Sequence, residues 1–310
     1  MHRGGYNRSR CGEGPQGHPR RRRQEGETVK LAYCTWGMPQ LSVDEAVDCL
    51  ARLGYDGIQL TLSDARPFTT ELSRLSFTER KRIGKLLDDA GLELPSLSGH
   101  TNLMASQPEE QRKAISRLKA MIDACLDFAR PEGVPSLNTI VGGREGEWEE
   151  RKAELVDRLG ELVAYAESCG VVIALEPHVQ QMLDTPAKTL WLLSQIPSSS
   201  LRLCFDISHF EVLGIPMADS VRLLAPHAVF THVKDQRGYS PRHQFLIPGE
   251  GDFDYVSYLR EMHRVGYTGH IGVEISFMVQ DRPDYDPRDA AERSYRVLSQ
   301  AFATAGVPRR

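Results

Sequence analysis

Val171-Val172-Ile173-Ala174-Leu175-Glu176-Pro177-His178 is the stretch that decides how this chain folds. Five apolar residues follow Gly170 without a break and run into a carboxylate, a proline and an imidazole. A short apolar run bounded by Gly and Pro reads as a strand buried on both faces. A carboxylate at the tip of such a strand is costly unless something balances its charge. Three runs downstream end the same way: Arg202-Leu203-Cys204-Phe205-Asp206, Ala228-Val229-Phe230-Thr231-His232 and His270-Ile271-Gly272-Val273-Glu274. Four successive strands therefore each deliver one potential metal ligand at the C-terminal end.

Upstream, short apolar runs alternate with amphipathic stretches from Lys30 onward. Strands are expected over 31–34, 58–60, 94–98 and 136–141, and helices over 43–53, 78–90, 109–128 and 148–169. Ser42 with Glu45 has capping-box spacing, and Gly54, Gly91 and Gly170 stand where helices close. Behind the four ligand-bearing strands, helices are expected near 186–193, 217–224, 255–265 and 288–304. Eight strand–helix units with no linker between them predict a closed (β/α)8 TIM barrel rather than an open sheet. The first strand is followed by Thr35-Trp36-Gly37-Met38-Pro39-Gln40, which lacks the Gly-rich phosphate loop of a doubly wound fold. In a barrel the C-terminal strand ends converge on one rim, so residues 176, 206, 232 and 274 are expected to meet in space.

Composition fits this picture. Of 310 residues, 40% are hydrophobic and 26% charged, ordinary for a chain that buries a sizeable core. The formal net charge of −4 is uneven: residues 1–28 hold seven Arg and three Glu, which leaves the remainder eight charges acidic. That Arg/Gly/Pro-rich segment is expected to be a disordered tail, with the barrel over 29–310. An acidic body argues against a nucleic-acid partner. No secretory apolar segment follows the arginines, and no run of about 18 apolar residues suggests a membrane span. Cys11, Cys34, Cys49, Cys125, Cys169 and Cys204 show no CxxC spacing and read as free thiols of a cytoplasmic protein.

Glu176, Asp206, His232 and Glu274 make a mostly oxygen donor set. It suits one divalent ion, Mn2+ first with Mg2+ or Co2+ beside it, better than a closed structural zinc site, although Zn2+ stays an alternative. Four protein ligands leave positions open for two adjacent oxygens of a substrate.

Leu175-Glu176-Pro177-His178, Phe205-Asp206-Ile207-Ser208-His209, Thr231-His232-Val233-Lys234-Asp235, Pro248-Gly249-Glu250-Gly251-Asp252-Phe253-Asp254 and Val273-Glu274 together resemble the xylose-isomerase-like barrel superfamily. Within it the chain is most similar, over roughly 30–305, to the sugar phosphate isomerase/epimerase family, which includes ketose 3-epimerases, hydroxypyruvate isomerases and inosose dehydratases. The resemblance implies a metal held by Glu176, Asp206, His232 and Glu274, and a substrate hydroxyl contacted by His209. It also implies that Glu176 and Glu274 exchange a proton with the carbon beside a carbonyl, through an enediolate, on a small sugar, ketose or keto-acid. A dehydratase of inosose or keto-sugar type uses the same site. An endonuclease IV-like repair nuclease and a non-catalytic barrel are the readings from other classes.

His178, His100 and Trp36 are further substrate-binding candidates at strand ends. Lys234, Arg237 and Arg242 follow His232 in an expected loop where a phosphate or carboxylate could bind. Glu250 is expected to orient a ligand or the loop. Two positions depart from the family: Gln59 stands where many relatives carry a strand-two Glu, and Met182 stands where the epimerases place a further substrate-binding Glu. A homodimer or tetramer is left open.

Overall fold

The structure is a computed structural model that describes residues 28–62, 75–130 and 133–310. Nearly all of the expected tail, residues 1–27, lies outside the described residues. Eight parallel strands close into a barrel: β1 (Lys30–Cys34), β2 (Gly57–Thr61), β3 (Glu93–Ser98), β4 (Ser136–Thr139), β5 (Ile173–Leu175), β6 (Leu201–Asp206), β7 (Ala228–Val233) and β10 (His270–Val273). Neighbours in the barrel are neighbours in sequence, and β10 pairs with β1 to shut the ring. The (β/α)8 TIM barrel expected from the strand count is the observed fold.

The helices are α1 (Val43–Leu53), α2 (Phe77–Ala90), α3 (Pro108–Asp127), α4 (Trp148–Cys169), α5 (Pro186–Gln195), α6 (Ile207–Glu211), α7 (Met217–Leu224), α8 (Tyr255–Arg264), α9 (Phe277–Gln280) and α10 (Pro287–Ala305). Local signals set their ends. Ser42 and Glu45 form the expected capping box, and Gly54, Gly91 and Gly170 adopt left-handed conformations at helix C-termini. Two elements depart from the expected pattern. The segment after His232 is not a plain loop but an antiparallel hairpin of β8 (Asp235–Arg237) and β9 (Gln244–Leu246). The short α6 follows Asp206 directly, because the Asp206 side chain caps it by accepting from the Ser208 backbone N–H.

Strand alternation sorts the two cores. Side chains pointing outward, such as Leu31, Ile58, Leu203 and Ile271, pack against the helices in one large apolar cluster. The barrel interior holds a separate small cluster of Ala32, Ala174, Cys204 and Phe230. Gly272 makes room for it: a Cβ there would stand 2.6 Å from the Phe230 ring. Above this plug the interior turns polar, with Gln59, Ser96, Asn138, Glu176, Asp206 and His232 all buried. Because i and i+2 share a face, Cys204 lies beneath Asp206 on β6, and Phe230 beneath His232 on β7. The acids at the strand tips therefore sit on an apolar floor.

Candidate metal centre and substrate cavity

Glu176, Asp206, His232 and Glu274 converge as the strand ends require. One ligand atom from each lies within 4.8 Å of those from the others, and all four residues are buried. Each acid is held by its own local structure. Asp206 spends Oδ1 on the Ser208 N–H (2.9 Å) and hydroxyl (2.6 Å), which leaves Oδ2 facing the cluster. Glu176 Oε2 accepts from Asn138 Nδ2 at 3.0 Å and lies 3.3 Å from His100 Nε2, while Oε1 lies 3.3 Å from His232 Nδ1. Glu274 Oε1 is 3.8 Å from the same nitrogen.

His232 is oriented from behind. Gln59 Oε1 accepts from Nε2–H at 2.7 Å, and Gln59 Nε2 in turn donates to Ser96 Oγ at 3.1 Å. This chain fixes the ring plane so that Nδ1 faces the acids. Gln59 was noted in the sequence only as a departure; its position two residues before the end of β2, on the interior face, was the available signal.

Lys234 is the second group whose weight the sequence understated. It continues the Phe230, His232 alternation, so its stem runs inward and its residue is only 2% exposed. Its Nζ lies 2.7 Å from Asp206 Oδ2 and pairs with Glu274 Oε2. Burial disfavours its charged form, but Asp206, Glu274 and Glu176 outweigh that and hold its pKa well above the usual lysine value. Burial likewise works against the carboxylates. His232 and His100 overcome it for Glu176, and chiefly Lys234 for Asp206, so both sit below the ordinary carboxylate range. For His232, burial opposes the imidazolium, yet Cys204, Glu274 and Glu176 raise its pKa well above normal. Three carboxylates thus face one ammonium and the imidazoles of His232 and His100; with both imidazoles neutral the set is two negative charges in excess. A divalent cation matches that excess, and the buried, oxygen-rich donor set suits such an ion.

A cavity of about 250 Å³ opens above the cluster and is lined by Trp36, His100, His178, His209, Lys234 and Glu274 among others. His209 is 1% exposed, and neither ring nitrogen has a hydrogen-bond partner. Burial, with the neighbouring His178, holds its pKa well below normal, so the ring is neutral. His178 stacks on it with ring centroids 3.7 Å apart, and its own Nδ1 meets the Val179 carbonyl at 3.0 Å. Trp36 stands against His100 at 6.1 Å.

Arg237 and Arg242 are the sequence candidates that the fold directs elsewhere: both are exposed, and neither lines this cavity. Arg237 emerges from the hairpin with its side chain 56% exposed, near Asp252 and the Glu250 carbonyl, and lines a separate cavity with Glu211 and Gln236. Being three residues past Lys234, it falls on the opposite strand face. Glu250 acts on the loop: it pairs with Arg282 (2.8 Å) and Arg293 (2.9 Å), tying the turn before α8 to the α9–α10 segment. Asp235 secures the same turn by accepting from the N–H groups of Gly249 and Phe253. A Cβ on Gly251 would come within 2.4 Å of Asp235 Oδ1, so glycine is required there.

A closed barrel with an acidic, imidazole-bearing centre at its C-terminal rim defines the class, and the sequence agrees: the chain belongs to the xylose isomerase-like TIM barrel family, matched over residues 47–301. It is 25% identical to fructoselysine 3-epimerase of Shigella flexneri over 285 residues, 88% of this chain and 99% of that protein. It is 22% identical to inosose dehydratase of Geobacillus kaustophilus over 287 residues, 84% of this chain and 85% of that one. Among solved structures, an IOLI protein with a zinc atom bound superposes with a TM-score of 0.71 at 20% identity, covering 89% of this chain and 98% of that one. Among the described residues no helix is long and apolar enough to cross a membrane.

Proposed function

We propose that the protein is a divalent-metal-dependent isomerase or epimerase of a small sugar or sugar-derived keto compound. Glu176, Asp206, His232 and Glu274 hold the ion, Mn2+ first, and Glu176 and Glu274 move the proton. The observation that carries this reading is the charge of the centre: three buried carboxylates against one lysine, beneath a cavity of sugar size. A bound ion would supply electrophilic stabilisation of charge developing at the substrate oxygens.

The rest is the work of the chain's own side chains. A C–H beside a carbonyl is a weak acid, so its base must be ionised and within reach. Glu176 meets the first requirement, since His232 and His100 hold it as a carboxylate. Glu274 approaches from β10, three strands away round the barrel from β5, so the two acids flank the cavity from different sides. Inversion of the carbon requires that one glutamate take its proton while the other, in its acid form, gives a second proton to the opposite face; a proton given instead to the neighbouring carbon moves the carbonyl. His209, neutral and without a partner, is placed to hydrogen-bond a substrate hydroxyl. Trp36 offers an apolar wall to the sugar ring. Lys234, which lines this cavity, is already paired with Asp206 and Glu274, so among the described residues it offers no free charge to a phosphate.

The test is a panel of ketoses and keto-polyols in deuterated water with and without Mn2+. Deuterium is expected at the carbon next to the carbonyl only when the ion is present. Full metal-dependent turnover by Glu274→Gln sinks the two-glutamate mechanism. His209 also favours a second reading, since a neutral imidazole there could protonate a departing hydroxyl after enolisation. Loss of water from an inosose or 3-keto-sugar, followed by mass, separates the dehydratase from the isomerase.

A further inference from the structure

Beneath the carboxylates lies a second set of donors that oxygen chemistry does not use. Cys204, fully buried on β6 two residues before Asp206, points up at His232: its Sγ is 3.6 Å from Nδ1, the nitrogen that is also 3.3 Å from Glu176 Oε1. Ligand atoms of Glu176, Cys204 and His232 all fall within 4.8 Å of one another. From β1, Cys34 brings a second buried thiol within the same distance of His232 and Glu274. The separations have a chemical meaning. A tetrahedral zinc with Zn–N of about 2.0–2.1 Å and Zn–S of about 2.3 Å sets nitrogen and sulfur about 3.6 Å apart, and nitrogen and carboxylate oxygen about 3.4 Å apart. The side chains already stand at both spacings.

We propose that Glu176, Cys204 and His232 form a thiophilic metal site directly below the carboxylate centre, taking zinc-class ions and sharing the His232 Nδ1 lone pair with it. The inference rests on the proposed reading of His232 as a ligand through Nδ1. One lone pair serves one ion, so the two ways of loading the barrel exclude each other. A hard ion such as Mn2+ takes Asp206 and Glu274 with the shared residues. A soft ion drops toward the sulfur, Cys204 loses its thiol proton to solvent, and Asp206 and Glu274 are left with Lys234 alone. Thiolate is preferred by zinc, copper(I) and cobalt(II) over manganese and magnesium, which gives the selection its direction.

The test loads the metal-free full-length protein with one equivalent of Co2+ and reads the near-ultraviolet spectrum. A sulfur-to-cobalt charge-transfer band is expected in the wild type and is expected to vanish in Cys204→Ser. Competition titrations should show zinc affinity falling about tenfold or more in Cys204→Ser while Mn2+ affinity stays within about twofold. No charge-transfer band in the wild type overturns the proposal, and that reading stands even if the variant fails to fold. A band that survives Cys204→Ser, or zinc and manganese affinities that fall by the same factor, overturns it as well. Manganese binding itself is read separately in these titrations, so loss of the carboxylate centre would be distinguished from loss of the thiol site.

Discussion

The two rims of the barrel carry ionic clusters of similar make-up and opposite design. At the N-terminal rim, Glu93 accepts from Lys30 Nζ at 2.9 and 2.7 Å, lies 3.2 Å from His270 Nε2 and pairs with Arg310. Beside it Asp56 holds the Leu31 N–H and Arg309. Two acids there face four basic groups, with water near. At the C-terminal rim three acids face one lysine and the imidazoles of His232, His100 and His209, and Glu176 and Asp206 are at most 1% exposed. The first cluster is complete as it stands. The second is balanced only while its imidazoles carry protons; with them neutral it holds two negative charges in excess, and a buried excess is expensive unless a ligand relieves it. The contrast separates a rim whose charges pair with one another from a rim whose acids, we propose, receive a cation.

Substitutions at the two rims should therefore behave differently, and the largest effect is expected at Glu176 and Glu274, the proposed proton-transfer pair. Glu176→Gln and Glu274→Gln keep shape and remove the base, so kcat is expected to fall about 10²–10⁴-fold, measured by steady-state kinetics on the substrate found in the panel. Lys234→Met breaks the top cluster in another way. It leaves Asp206 and Glu274 unpaired in the interior, and the metal-free protein should lose about 3–5 kcal/mol of stability in denaturant titration. Saturating Mn2+ should restore most of it, since an ion that binds only the folded state adds about 2.7 kcal/mol at a hundred times its Kd.

Gln59→Leu touches neither ion nor substrate. It frees the His232 ring, and Mn2+ affinity by calorimetry should fall about 10–100-fold while the fold stays intact. The smallest effect is expected at the bottom rim. His270 and Lys30 outweigh burial there and hold Glu93 down at about 2. A depressed carboxylate stabilises the fold above its unfolded value of 4.5 and gives that contribution up as pH falls from 4.5 toward 2. Glu93→Gln should cost about 1 kcal/mol near neutral pH and flatten the stability profile over that acidic window, with turnover and metal affinity unchanged.

The same comparison shows what the sequence made legible. The convergence of the four candidate ligands could be read because each closes an apolar run, and a barrel brings all such ends to one rim. The strand and helix order followed from the same periodicities. Lys234 and Arg237 were read together as loop charges, whereas the inward alternation through Phe230 and His232 runs on to Lys234 and turns Arg237 away. Gln59 was hidden for a different reason: its partner His232 is 173 positions away, and only the closed ring sets them 2.7 Å apart. Cys204 read as a core thiol, which on one side it is, packing with Ala32, Ala174 and Phe230. Its other contact, to His232, needed the register of β6 beside β7. The bottom-rim cluster had no sequence signal, because Glu93, Lys30, His270 and Arg310 meet only through the pairing of β1 with β10 and the return of the C-terminus.

The central claim is that the acid excess at the C-terminal rim is a cation site, and an Mn2+ titration of the metal-free protein followed by electron paramagnetic resonance tests it most directly. Asp206→Asn is the informative variant, since an amide oxygen can still cap α6 through Ser208 while the charge is lost. One Mn2+ per chain is expected in the wild type, with affinity falling at least about tenfold in Asp206→Asn and unchanged in Glu93→Gln. Absence of Mn2+ binding in the wild type, or equal affinity in the wild type and Asp206→Asn, would contradict it.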